Sequence, residues 1–291
     1  MARRGSQART TRIVTLATML TPSLLVVAAV MGFPLAFALV RSFERRDVFV
    51  GLQNYTALLS DPTIQTVIAR TALFVVVCAT IELLLGVSYA LLLNRAFPGR
   101  GIVRTLFLLP LLVPPVIAAL NWSFLLNPQF GAVNQLLRYV LPPHLIPLWL
   151  ADPTWAFVAV IIVTVWRNTP FVMILILAGL QSIGREMYEA AFIDGASRIQ
   201  ALRYVTLPSL RQVILVALML RVIDLFRVFD TVFVMTQGGP GGATDILSTR
   251  IYKMAFWEGQ TGPAAALSYI ALIITLMLLV PLLTLSRGRT D

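Results

Sequence analysis

The sequence predicts an all-α integral membrane protein with six transmembrane helices. Three observations carry that expectation. The 291 residues are 58% hydrophobic and 12% charged, with a mean hydropathy of +0.85, whereas a soluble domain carries about 25% charged residues. Six apolar runs reach the length of about 20 residues that a helix needs to cross a hydrocarbon core. The basic residues behind the net charge of +10 lie mostly in short segments between those runs, which favours membrane orientation over nucleic-acid binding.

The first run, 13–40, follows Arg3, Arg4, Arg9 and Arg12 as a signal peptide would. It is far longer than a secretory core of about 7–15 residues, and no small-x-small site follows, so an uncleaved helix bent at Pro22 and Pro34 is expected. The second and third runs are 67–93 and 105–126, the latter bent by Pro110, Pro114 and Pro115. The fourth, fifth and sixth are 155–180, 213–235 and 264–285. No internal repeat or low-complexity linker divides them, so 13–285 reads as one membrane domain between short tails, 1–12 and 286–291.

Orientation follows from arginine and lysine counts. The N-tail, the loops 94–104 and 181–211, and the C-tail hold thirteen of the 23 basic residues; the alternate loops hold six, and four lie within or at the edges of spans. Both termini and the loop 181–211 are therefore expected in the cytoplasm.

Several chemistries lack their residues. Cys78 is the only cysteine, so no intrachain disulfide forms, and His144 stands alone in a loop without metal-ligand neighbours. Lys253, the only lysine, lies in RIYKMAF, outside any glycine-rich phosphate loop. No metal site and no cofactor are expected in this chain, and energy from ATP would have to come through another subunit.

The loop after the fourth run contains EAAFIDGASRIQALRYVTLP, 189–208. Tyr188, Ala191 and Phe192 make an apolar stripe at helical spacing, which predicts a short helix over REMYEAAFID. Gly195 suits a left-handed turn, Ser197 suits the cap of a second short helix, 198–204, and Leu207-Pro208 is expected to stop it. The result is a helix–turn–helix knob whose Ala190 and Ala191 keep its surface low for docking.

The spacing E-A-A, three residues, G, nine residues, I, one residue, L-P resembles the signature of the membrane subunits of bacterial ABC importers. Here it reads Glu189-Ala190-Ala191, Gly195, Val205 in place of Ile, and Leu207-Pro208. The flanking WRNTPFVMILILAGLQSI and TQGGPGGATDILSTRIYKMAF are similar to the carbohydrate-uptake branch, which includes maltose, trehalose and glycerol-3-phosphate permeases, and the resemblance runs over about 13–285. It implies a type I importer permease fold in the bacterial inner (plasma) membrane and no covalent catalysis. It implies three kinds of partner besides lipid: a second permease subunit, two copies of a cytoplasmic ATPase that bind ATP and magnesium, and an extracytoplasmic solute-binding protein. Glu189, Ala190, Ala191, Asp194, Gly195, Leu207 and Pro208 would then form the element seated in the ATPase groove. The outer segment 237–263 would belong to the surface met by the binding protein, its TDILSTRIYKMAFWEG part lying along the membrane surface.

The fifth run carries Arg221, Asp224, Arg227 and Asp230, charges of alternating sign every three residues. Each costs about 2.5–3.5 kcal/mol at a bilayer centre unless it faces protein or water. On a continuous helix a step of three drifts backward by about 60°, so the four would not share one stripe. Two readings are open: a hydrophilic wall of a solute path, or an ion-pair ladder to neighbouring helices. Arg167 and Asn168 before Pro170, and Asn121 and Trp122 in the third run, are further solute-path candidates; Glu82 raises the same question in the second, and Phe226 and Phe229 offer aromatic faces. An alternative function is an ion-coupled secondary transporter using the charges of the fifth run, which the intact Glu-Ala-Ala–Gly loop disfavours. An intramembrane enzyme is a third class, and Cys78 has no histidine in any span to activate it.

Overall fold

In the computed structural model, residues 18–287 are described. The N-tail 1–12, the start of the first run and residues 288–291 of the C-tail lie outside them. Among the described residues the regular elements are helices apart from one two-stranded hairpin, β1 (Glu44–Arg45) and β2 (Val48–Phe49), an addition to the all-α expectation.

Among the described residues four helices are long and apolar enough to cross a bilayer. Helix α1, Thr18–Ser42, passes through a π-helical turn at Ala28–Gly32 just before Pro34, where the Phe33 N–H reaches back to the Ala28 carbonyl. A wider turn there accommodates the missing proline donor. The short α2, Gln53–Ser60, leads to α3, Pro62–Asn94, started by Asp61, whose carboxylate accepts from the Thr63 N–H at 2.8 Å. At 1.5 Å per residue α3 is about 50 Å long, so it projects beyond a core of about 30 Å. Helix α7, Pro153–Gln181, starts the same way, with Asp152 accepting from Thr154 and Trp155. Helix α13, Thr261–Arg287, closes the bundle, and its Tyr269 hydroxyl donates to the Leu35 carbonyl of α1 at 2.6 Å.

The third and fifth runs are not single helices. The third is α4, Arg100–Leu112, and α5, Pro115–Leu125, at 100° to each other. Two consecutive prolines remove two donors, and Val113 before them is extended, as the residue preceding proline must be. After the small α6, Ala132–Arg138, and beyond α7, the loop forms α8, Arg185–Ile193, and α9, Arg198–Ala201. The fifth run is α10, Leu207–Phe226, and α11, Asp230–Thr236, with a break between.

Leu207-Pro208 does not stop the second knob helix. A π-helical stretch, Leu202–Thr206, carries α9 directly into α10, with the Leu207 N–H bonded to the Leu202 carbonyl. Pro208 follows that stretch directly, and the wider turn accommodates its missing donor, as it does at Pro34. The outer segment also differs from expectation. Helix α12, Leu247–Tyr252, is folded into the bundle rather than laid along a surface: Ile246, Leu247 and Met254 are buried, and the Thr71 hydroxyl of α3 accepts from the Leu247 N–H at 2.9 Å.

Helices α3 and α7 pack along each other at the centre. Their close approach depends on Gly86, where a Cβ would lie 2.6 Å from Val172 Cγ1. Apolar burial falls into two clusters. One includes Phe74, Val163, Leu225 and Leu267; the other includes Leu93, Met173, Ile176 and Leu210.

Candidate functional site

The break in the fifth run builds a polar cavity. Helix α10 tightens at its end, with Arg227 N–H bonded to Asp224 O at 3.0 Å and Val228 N–H to Leu225 O at 3.3 Å. Phe229 then turns the chain, and its carbonyl receives the first bond of α11 from Phe233 N–H at 2.9 Å. The freed carbonyl of Val228 accepts from the Ser248 hydroxyl. Because the helix is interrupted, Arg221, Asp224, Arg227 and Asp230 all line one cavity of about 270 Å³, with Arg167, Asn168, Pro115 and Phe229. The statement that the four would not share one stripe held for a continuous helix, and the break brings them to one cavity instead.

The charges divide into two kinds. Arg221 is buried and holds Glu82 of α3 in a fork, Nε to Oε2 at 2.6 Å and Nη2 to Oε1 at 3.3 Å. Glu82 is fully buried, so the pair is a charge-assisted, bidentate link across 139 residues of sequence. Arg221 also reaches Asp224 at 3.1 Å, and about half of the Asp224 side chain is exposed. Arg227 and Asp230 are exposed. Arg221 is thus the ion-paired member of the series, and Asp224, Arg227 and Asp230 are its exposed members.

Arg167 is half-buried and fixed by the bend in the third run: its Nε donates to the Val113 carbonyl at 3.2 Å, and its Nη1 to Asn168 Oδ1 at 3.1 Å. The Asn168 amide donates to Thr164 O at 2.8 Å. Phe229 belongs to an aromatic group, with Phe233 at 4.8 Å and Tyr252 at 5.0 Å between ring centroids. Asn121 and Trp122 are not brought to the cavity. Asn121 is exposed elsewhere on α5, and Trp122 packs edge-on against Trp166 at 5.6 Å. Phe226 is buried in the apolar core. Glu82 is the participant that sequence reasoning left outside its candidates; its only signal was an acid in an apolar span.

At one end of the bundle the knob projects. Helix α8 ends at Ile193 with Asp194 as its cap, and Gly195 follows at φ +81°. Gly195 N–H bonds to Phe192 O at 3.1 Å and Ala196 N–H to Ala191 O at 2.9 Å, the paired bonds of a Schellman motif. Ser197 and Gln200 then make a capping box: the Gln200 N–H donates to Ser197 Oγ at 3.3 Å, and the Ser197 N–H to Gln200 Oε1 at 2.7 Å. The Tyr188 and Thr206 hydroxyls, 3.0 Å apart, tie the first helix to the last turn. Glu189, Ala190, Asp194, Gly195, Leu207 and Pro208 are exposed and Ala191 is half-buried. Among the described residues no cluster of His, Cys, Asp or Glu is placed to hold a metal ion.

Apolar helices around a charged cavity, with a braced knob at one end, suit a membrane-embedded transport subunit. Residues 82–287 match the binding-protein-dependent transport system inner membrane component family, and the chain belongs to it. It is 39% identical over 250 residues to the trehalose/maltose transport system permease protein MalF of Thermococcus litoralis, covering 86% of this chain and 84% of that one. It is 33% identical over 260 residues to the trehalose transport system permease protein SugA of Mycobacterium tuberculosis, covering 87% and 82%. The fold is shared with a chain of a bacterial ABC transporter involved in import of the acidic polysaccharide alginate, at a TM-score of 0.87 and 23% identity over 98% of this chain and 99% of that one. The chain is a permease component, and the ion-coupled and enzymatic alternatives fall away with that membership.

Proposed function

We propose that this chain is the translocation subunit of an ATP-driven importer that passes a carbohydrate, delivered by an extracytoplasmic binding protein, across a bacterial inner membrane. In this reading six spans place both termini in the cytoplasm, the bent third run and broken fifth run each counting as one. A second permease chain completes the path, and two copies of a separate ATPase bind ATP and magnesium. The knob seats in the ATPase groove through Glu189, Ala190, Ala191, Asp194 and Gly195, while Leu207-Pro208 joins it rigidly to α10.

The observation that carries the solute path is the cavity at the break. Arg227 and Asp230 are exposed within it beside the Phe229 ring. Exposed hydrogen-bonding groups beside an aromatic face suit a hydroxylated ring. Glu82 and Arg221 hold the wall in place behind them. The names of the trehalose and maltose permeases support a neutral sugar as the solute. Asn121 and Trp122 belong to the path only if α5 rotates during transport.

The test uses the complete transporter in lipid vesicles, with labelled trehalose or maltose on its binding protein. Asp230→Asn and Arg227→Gln are expected to lower uptake at least tenfold, about 1.4 kcal/mol, while ATP hydrolysis stimulated by the binding protein persists. Unchanged uptake in both variants would remove the cavity from the path.

A further inference from the structure

A second cavity, about 590 Å³, lies beneath the knob. Its floor is apolar and comes from the knob-side ends of two spans, Leu91 of α3 and Leu180 of α7. Leu202, at the start of the π-helical stretch, lines its wall. Arg95 and Arg198 also line it, both are exposed, and no carboxylate lines it with them. Among the described residues neither arginine makes an ion pair. Glu189, Ala190, Asp194 and Gly195 do not line it, so it is separate from the face expected to dock.

We propose that this cavity holds one anionic phospholipid, with its phosphate between Arg95 and Arg198 and an acyl chain over Leu91, Leu180 and Leu202. Depth supports a lipid. Arg95 is the first residue beyond α3 and lies two residues past the apolar run 67–93, on the headgroup side of it. Arginine stems lie along apolar surface while the guanidinium stays polar, and an unpaired arginine at that level attracts anionic lipid. A carboxylate from a cytoplasmic partner would neutralise the arginines but leave the floor at the span ends uncovered. A lipid covers both. Lodged between the knob and the ends of α3 and α7, it makes the knob move with those spans and makes transport sensitive to leaflet composition.

The test is native mass spectrometry of the complete detergent-purified transporter titrated with phosphatidylglycerol or phosphatidylcholine. The intact protein is expected to retain one phosphatidylglycerol in preference to phosphatidylcholine. Arg95→Gln and Arg198→Gln are each expected to weaken that retention about fivefold, equivalent to about 1 kcal/mol, and the double variant loses the preference. Leu202→Asn, which leaves both charges, is expected to weaken retention of both lipids. Equal retention by the intact protein and the double variant overturns the proposal. Displacement of the bound lipid by millimolar inorganic phosphate also overturns it, since the site would then read a free anion.

Discussion

The knob and the charged cavity are built in opposite ways. Each bond that braces the knob joins residues at most 18 apart: the Gly195 and Ala196 closures, the Ser197–Gln200 box and the Tyr188–Thr206 pair. The cavity depends on distant partners, Glu82 with Arg221 and Val113 with Arg167. A locally closed element moves as a unit without repacking the bundle. A wall assembled from three separated parts of the chain changes shape whenever those parts shift. That division suits a device in which one part receives force and another opens and closes.

The comparison breaks first at Arg221. Arg221→Ala leaves the Glu82 carboxylate buried without its partner and is expected to cost about 3–5 kcal/mol, read as a large fall in the thermal midpoint of the detergent-solubilised protein. Glu82→Leu with Arg221→Met removes both charges and should recover most of that loss. If the single variant is as stable as the parent, the link between α3 and α10 is not what holds the wall. Next is Gly86→Val, whose Cβ meets Val172; a penalty of about 1–3 kcal/mol is expected by the same measurement.

Changes in the knob should be smaller and should stay local. A Cβ at Gly195 meets nothing within 4 Å, so Gly195→Ala acts only through its left-handed backbone, about 1–2 kcal/mol. Faster proteolysis within 185–206 with an unchanged thermal midpoint is the expected result. Ser197→Ala removes one half of the capping box, about 1 kcal/mol, and is expected to raise hydrogen exchange at the Gln200 amide while leaving α10 protected. A fall in the global midpoint for either variant would mean that knob and bundle are one cooperative unit.

The same contrast explains what the sequence made legible. Short-range rules found α8, the glycine turn and the Ser197 cap, since all their partners are in view within a few residues. They misjudged Leu207-Pro208, because the proline's effect depends on the π-helical stretch before it. Prolines announced a bend in the third run, but not one of 100°. Nothing local announced the break at Arg227–Phe229: no proline or glycine marks it, and the turn is stabilised from outside by Ser248. Periodicity therefore spread the four charges around a helix that does not continue. Glu82 was visible as an oddity, but its partner 139 residues away was not.

The claim that the knob transmits the force of ATP hydrolysis is tested most directly by Glu189→Arg combined with Gly195→Val, in the complete transporter reconstituted with its ATPase and loaded binding protein. Normal membrane insertion, loss of sugar uptake and ATP hydrolysis no longer stimulated by the binding protein are the expected results. Uptake at the parental rate from correctly inserted protein would contradict the account.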